Sequence, residues 1–423
     1  MKPEILRLYA VTDRMWLGDK TLAWQVEQAI KGGATCVQLR EKSSTKEEII
    51  EMAASVQDVC RKYHIPFIIN DSPELAVLCD ADGVHIGQND GDILKARKII
   101  GNERILGVSA RTLEDAKAAE RQGADYIGAG AVFSTSTKNG AQVISLDTLR
   151  EITAGVKIPV TAIGGIDESN IKKLMGSGIC GAAVVSGIFA SEDIEGTCRR
   201  LRTALDNLKY QIDGAIFDMD GTLLDSMHIW HEAAANYLKT KGIKPKSNIY
   251  ERISRVGLTQ AANILKTEYD IEDSADRILC DMEVVLCRMY TDLSQVKPGV
   301  KDFLRFLKEK GTKICVATSC GYDLARNALE KNGLLSYIDR IFTCSEFGEK
   351  DSPVIYNKAL EYLKTDKKST WVFEDAKYCV KTAKNAGFHV CGVWDRYEKN
   401  SINVKEYSDI YIKTFEGVSV YFD

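Results

Sequence analysis

No C-x-x-C pair occurs in this sequence, although it holds 12 cysteines, all scattered singly. That scatter excludes the usual zinc-site spacing and argues against a disulfide framework, which leaves reduced, packed thiols. Long hydrophobic runs are also missing. The longest, from Ile179 to Ala190, is well short of the ~20 residues a spanning helix needs and is interrupted by glycine and serine, so it reads as a buried strand and turn. The N-terminus, MKPEILRLYAV, lacks the basic-then-apolar order of a signal peptide. These absences predict a soluble, cytoplasmic protein without a membrane partner. Charge of one sign is not in excess either: a net −4 leaves no broad basic face, which argues against nucleic acid and means that any anionic ligand is caught by local groups. There are no repeats, no low-complexity tracts and no Gly/Pro/Ser-rich linker.

What is present has an ordinary globular balance, 45% hydrophobic and 27% charged, and 423 residues allow two or three domains. Residues 5–208 alternate short apolar runs with longer amphipathic stretches. Eight such runs appear, at 5–11, 35–39, 66–70, 82–86, 104–109, 125–130, 159–163 and 181–186. Between them, patterns such as TKEEIIEMAASVQDVCRKY (45–63) repeat apolar positions at three and four residues. Continuous apolar strands alternating with helices imply a parallel sheet buried on both faces, and eight units in about 200 residues point to a closed (β/α)8 TIM barrel over 1–208. The region 212–423 starts with a strand and loop and runs helical to about 295. Strands return at 311–319, 340–345, 369–375 and 388–394. This is a second α/β domain with a helical insertion after its first strand, at about 226–297.

In such a barrel the chemistry gathers where strands end. Those positions hold QLREK (38–42), Asn70-Asp71, GQND with Asp90, Ser109, FSTSTK (133–138), Gly164-Gly165 and Val185-Ser186. Asp71 and Asp90, on neighbouring strand ends, suit Mg²⁺. Arg40, Lys42 and Lys138 supply positive charge for a dense anion such as pyrophosphate, and Thr135 and Thr137 add hydroxyl donors. The turns after strands 7 and 8, with Ser186, form a second anion site. His85 reads as a packed strand histidine.

Taken in order, QLREK, the Asn-Asp pair, GQ-x-D, GVS, T-x-T-K, AIGGI and VVS resemble thiamine-phosphate synthase over residues 5–205. The resemblance implies that 4-amino-2-methyl-5-hydroxymethylpyrimidine diphosphate and a thiazole phosphate are joined with release of pyrophosphate. It implies that Gln38, Leu39, Arg40, Glu41, Lys42, Asn70, Ser109 and Lys138 hold the pyrimidine diphosphate, with Mg²⁺ on Asp71 and Asp90. Thr135, Ser136, Thr137, Gly165, Val185 and Ser186 would hold the thiazole phosphate. Lys138 would also stabilise the departing pyrophosphate. The loop departs from the family where Ala131 and Ser134 stand at positions that are often proline.

The second domain opens on AIFDMDGTLLDS (215–226). Asp218, at a strand end, is placed to attack phosphorus, and Asp220 to protonate the leaving oxygen and later activate water. Thr318-Ser319 ends a later strand and can bond phosphoryl oxygens, Lys350 can offset their charge, and Glu374-Asp375 can complete a Mg²⁺ site with Asp218 and the Asp220 carbonyl. This order is similar to the haloacid-dehalogenase-like phosphatases, in the capped group that includes phosphoglucomutase-like members, and implies a Rossmannoid core over about 212–395. Val354 stands where an acidic residue is frequent, and Ala376 replaces a common serine. The cap, which offers His228, Trp230 and His231, should set substrate choice; Trp230 is read as core-packed or as a stacking platform.

The leading expectation is therefore a bifunctional enzyme with one Mg²⁺ in each domain and small phosphorylated substrates. Its phosphatase acts on thiamine phosphate or, alternatively, on unrelated sugar or nucleotide phosphates. A further alternative is a non-catalytic sensor or assembly module. The oligomeric state is left open.

Overall fold

The computed structural model of the chain describes residues 1–88, 91–135, 142–246, 248–253, 258–398 and 401–423. It divides into two compact units, Met1–Tyr210 with Ser419–Asp423, and Gln211–Val418. The last five residues, which the sequence reading leaves in the second region, thus belong to the first unit.

In the first unit, β1 (Leu8–Val11), β2 (Cys36–Leu39), β3 (Phe67–Asn70), β4 (Gly83–Ile86), β5 (Ile105–Ala110), β6 (Tyr126–Gly130), β7 (Val160–Ile163) and β8 (Gly181–Val184) close into a parallel barrel. These are the eight apolar runs of the sequence. Alternation along each strand decides what each residue meets. Val37, Leu39, Phe67, Ile69, Val84 and Ile86 pack outward into the core shared with the helices. Tyr9, Cys36, Ile68 and Tyr126 cluster in the interior with Val11 and Ala183. The helix Lys46–Lys62 begins where Thr45 and Glu48 form a reciprocal capping box, and buries Ala53, Val56 and Cys60 at helical spacing. After the helix Ile194–Leu205 the chain reaches Tyr210, where the C-terminal residues rejoin it. Tyr210 N–H donates to Tyr421 O at 2.9 Å, and Asp423 N–H donates to Tyr210 O at 3.0 Å. The Tyr421 hydroxyl donates to Arg150 O at 3.0 Å.

The second unit is built on a parallel sheet of β9 (Gly214–Phe217), β12 (Lys313–Thr318), β13 (Arg340–Thr343), β14 (Thr370–Glu374), β15 (His389–Val393) and β16 (Ile410–Ile412). Their order across the sheet is β13-β12-β9-β14-β15-β16. Among the described residues, the helices Met227–Thr240, Ile249–Ile253, Leu258–Tyr269 and Ala275–Leu293 form the insertion. Its own small core includes Tyr237, Leu265, Ile278 and Met282. Two short strands, β10 (Leu224–Asp225) and β11 (Gln295–Val296), pair antiparallel at its two ends. No helix among the described residues is long and apolar enough to cross a membrane.

Candidate active sites

Parallel strands that end together bring their following residues together, and a cleft of about 280 Å³ lies at the strand ends of the barrel. Gln38, Arg40, Lys42, Asn70, Asp71, Ser109, Thr135, Gly165, Val185 and Ser186 all line it. Two expected members do not. Leu39 follows the inward Gln38 and therefore points outward into the core, and Glu41 instead accepts Arg14 Nε at 2.5 Å. Asp90, Ser136, Thr137 and Lys138 lie outside the described residues. The Lys42 ammonium donates to the Asp71 carboxylate, and Arg40 Nη1 stands 3.6 Å from Asp13 Oδ2. Asp71 adopts a left-handed backbone, φ 66°, and its N–H donates to His85 O at 2.8 Å. The sequence reading missed Arg111, which lines the cleft as a further cation; it lies two residues beyond Ser109 and so shares its inward parity. His85 is buried as expected, yet it also borders the cleft and is bonded at both ring nitrogens.

In the second unit β9 ends in Asp218, flanked by β12 and β14, so the strand ends of all three converge. Asp218, Lys350, Glu374 and Asp375 are all buried. The Lys350 ammonium donates to Asp218 and, at 2.7 Å, to Glu374 Oε1, which also accepts the Tyr356 hydroxyl at 2.9 Å. Thr222 Oγ1 donates to Asp375 Oδ1 at 3.3 Å. Gly221 has φ 83°, and a Cβ there would stand 2.2 Å from Asp375 Oδ2, so the turn after the two aspartates requires glycine.

The electrostatics follow from the burial. Ligand oxygens of Asp218, Glu374 and Asp375 lie within 4.8 Å of one another. Burial pushes all three carboxyls up, Glu374 to about 7, and Lys350 draws Asp218 and Glu374 back only in part. Burial alone would lower the Lys350 ammonium, yet Asp218 and Glu374 hold it well above its ordinary value. Lys350 bonds two of these three buried acids, and the other lysine that acts on them, Lys297, is itself paired with Asp395, so surplus negative charge is left on an all-oxygen donor set, which fits a hard divalent cation.

The Asp220 carboxylate is not part of that group. It points at the insertion, where Oδ1 accepts Ser226 Oγ and the Tyr290 hydroxyl, each at 2.5 Å. Burial first, and then the neighbouring Asp218, push its carboxyl up to about 6. Thr318 is buried at the end of β12, where its Oγ1 accepts the Cys320 N–H at 3.0 Å, and Ser319 is exposed. Trp230 is half-buried and donates through Nε1 to the Tyr290 hydroxyl at 2.7 Å. His231 stacks on Tyr250, and His228 is half-buried. A second buried ion pair, Lys297 Nζ to Asp395 Oδ2 at 3.0 Å, was not foreseen; an isolated lysine and aspartate nearly a hundred residues apart carry no local signal.

All 12 cysteines are free thiols. Residues 8–188 match the family model described as thiamine monophosphate synthase, and residues 215–393 match that of haloacid dehalogenase-like hydrolase. The chain is similar to the thiamine-phosphate synthase of Clostridium acetobutylicum, 46% identical over 199 residues that cover 47% of this chain and 94% of that one. It is similar to the enzyme of the same name from Ruminiclostridium cellulolyticum, 49% identical over 194 residues, 46% of this chain and 92% of that one. Among solved structures, a candidate β-phosphoglucomutase from Thermotoga maritima is 26% identical, covering 50% of this chain and 97% of that one, with a TM-score of 0.44. The chain belongs to the thiamine-phosphate synthase family and carries, behind the synthase barrel, a haloacid dehalogenase-like hydrolase domain.

Proposed function

We propose that the chain makes thiamine phosphate in its barrel and hydrolyses that product to thiamine in its second domain. The observation that carries this reading is the buried set Asp218, Lys350, Glu374 and Asp375, a monoester-hydrolysing arrangement, on one chain with a synthase whose product keeps the phosphate monoester of its thiazole. In the barrel, Arg40, Lys42, Arg111 and Lys138 neutralise the diphosphate, and the bond from the pyrimidine's methylene carbon to oxygen breaks towards the departing pyrophosphate while the thiazole nitrogen bonds that carbon. No protein nucleophile is needed. Asp71 and Asp90 would hold a magnesium ion there.

In the second domain a carboxylate oxygen of Asp218 bonds phosphorus as the ester oxygen leaves with the proton of Asp220. Water then attacks the aspartyl-phosphate and gives its proton to Asp220, which frees phosphate and restores Asp218. Lys350 holds Asp218 in place and balances phosphoryl charge. Asp218, Asp375 and Glu374, with the Asp220 carbonyl, would hold magnesium, whose charge offsets that of the transferred group.

The test supplies both barrel substrates and follows thiamine phosphate, thiamine and inorganic phosphate. Wild type accumulates thiamine, whereas Asp218→Asn stops at thiamine phosphate with synthase turnover unchanged. Wild type that also stops there, yet cleaves sugar phosphates readily, would replace this reading with that of an unrelated phosphatase.

A further inference from the structure

Two cations of the barrel cleft, Arg40 and Lys42, stand on a stretch of chain with no regular structure. β2 ends at Leu39 and the next helix begins at Lys46, so residues 40–45 keep their shape through side-chain bonds rather than a helix or strand. Both cationic side chains are long and rich in rotamers, and they converge on one anion only where the backbone beneath them is fixed. Alternation carries past the strand end: Gln38, Arg40 and Lys42 line the cleft, whereas Leu39 and Glu41 do not. Glu41 therefore faces away from the substrate, yet its side chain is only 10% exposed. Its Oε1 accepts the N–H groups of Lys42 at 2.9 Å and of Ser43 at 3.1 Å. Its Oε2 accepts Arg14 Nε, while Arg14 Nη2 donates to Ser44 Oγ at 2.8 Å, so one guanidinium grips the turn at two points. Burial would raise the Glu41 carboxyl, but the Ser43 N–H, Arg14 and the Lys42 N–H outweigh it and hold the group below its ordinary range, so it stays ionised.

Arg14 is itself anchored. It opens the short turn Arg14–Trp16, which Asp13 caps by accepting the Met15 N–H at 3.0 Å. Trp16 packs against the barrel core, and the buried Gln25 amide donates to Trp16 O at 2.7 Å. The residues just before Arg14 extend the link between the two loops. Thr12 N–H donates to Gln38 O at 2.9 Å, and Thr12 Oγ1 accepts the Arg40 N–H at 3.1 Å. Asp13 Oδ2 lies 3.6 Å from Arg40 Nη1. Thr12, Asp13 and Arg14 thus each hold Arg40 or Glu41, and the anchored end of β1 sets the shape of the loop after β2.

We propose that Glu41 and Arg14 are positioning residues of the synthase: they touch no substrate, and they shape the loop after β2 so that Arg40 and Lys42 present their charges together to the diphosphate. The proposal rests on the synthase reading of the cleft. Charge alone would give Glu41 the opposite effect. A carboxylate near an anion site repels the anion, so its removal should tighten binding. Where the carboxylate builds the loop, its removal weakens binding instead.

The test is steady-state pyrophosphate release by the full-length protein at saturating magnesium, with each barrel substrate varied in turn. Glu41→Ala should raise KM for 4-amino-2-methyl-5-hydroxymethylpyrimidine diphosphate about tenfold, the scale on which a misplaced substrate-holding group acts, and leave KM for the thiazole phosphate within about twofold. Glu41→Gln loses the charge but keeps an oxygen for the two N–H groups, and should recover most of that loss. Glu41→Met, with a stem of similar length and no acceptor oxygen, carries the alanine prediction should Glu41→Ala fail to fold. Arg14→Met should raise the same KM by a smaller factor. A fall in that KM in Glu41→Ala would mean that charge alone acts and would overturn the proposal. So would an equal rise for both substrates, which a general loosening of the barrel gives, or a Glu41→Gln as impaired as Glu41→Ala. A folded Arg14→Met with unchanged KM would overturn the role of Arg14. A wild type that releases no pyrophosphate from the two substrates would overturn the synthase reading, and the proposal with it.

Discussion

The Tyr290 hydroxyl donates to Asp220 Oδ1 at 2.5 Å from the last turn of the helix Ala275–Leu293. The tyrosine belongs to the insertion and the aspartate to the β9 turn, so the orientation of the acid depends on a residue seventy positions away. With one carboxylate oxygen held by Tyr290 and Ser226, the other is left to carry the proton for the leaving group. Tyr290→Phe should therefore slow cleavage of an alkyl phosphate such as β-glycerophosphate by about tenfold, a modest share of what general acid catalysis contributes. p-Nitrophenyl phosphate, whose leaving group needs no proton, should lose less than about twofold in kcat. Equal loss on both substrates would mean that Tyr290 only supports the insertion.

Asp71 is the described half of the expected barrel metal pair, and it is held by Lys42. Asp71→Ala removes a metal ligand and frees the lysine. Pyrophosphate release at saturating magnesium should fall by about 10²–10³, with hydrolysis of p-nitrophenyl phosphate unaffected. Near-normal release from the folded variant would remove Asp71 from the metal site.

Asp409 gives a pH prediction. Burial would raise its carboxyl, but hydrogen bonds from His389, Lys384 and the Val390 N–H outweigh this and bring it down to about 2. Because the folded value is depressed, its contribution is fully present above the unfolded value of ~3.9 and is lost as pH falls towards 2. Discounted for solvent screening at this partly exposed site, the shift is worth about 1 kcal/mol. Denaturant unfolding of wild type and Asp409→Asn should show that gap at pH 5 and its closing between about pH 4 and 2. A gap independent of pH would assign the effect to packing alone.

Tyr421 is 3% exposed, and its hydroxyl reaches Arg150 O. Tyr421→Ala should cost the first unit about 3 kcal/mol, in line with the loss of a buried aromatic ring, and Tyr421→Phe about 1 kcal/mol for the hydrogen bond. Calorimetry should show the lowered transition together with early loss of synthase activity. An unshifted transition would mean that residues 419–423 add nothing to the barrel.

The sequence disclosed most of this architecture because the barrel strands are continuous apolar runs bounded by turn residues, as β9, β12, β14 and β15 are. β10, β11 and β16 stayed hidden, since two or three residues cannot display a period. The cleft was legible through its strand-end rule, which names Asp71 or Ser109 without any knowledge of helix packing. The same rule overreached at Leu39, where alternation sends the side chain outward. Tyr9 and Tyr126 read as ordinary strand hydrophobes because their rings do pack in the core, and only closure of the barrel brings their hydroxyls together. Tyr290 was out of reach for another reason: its contact with Asp220 is made by how the insertion folds back, and no local pattern encodes it.

The return of residues 419–423 to Tyr210 bears on the order of events during synthesis. The ribosome delivers β1–β8 early, but the segment that completes their unit emerges only after the whole of Gln211–Val418. At roughly 5–20 residues per second, that delay lasts on the order of tens of seconds. A nascent barrel must therefore wait, closed but unfinished at Arg150 and Tyr210, and the unit encoded first is the one completed last.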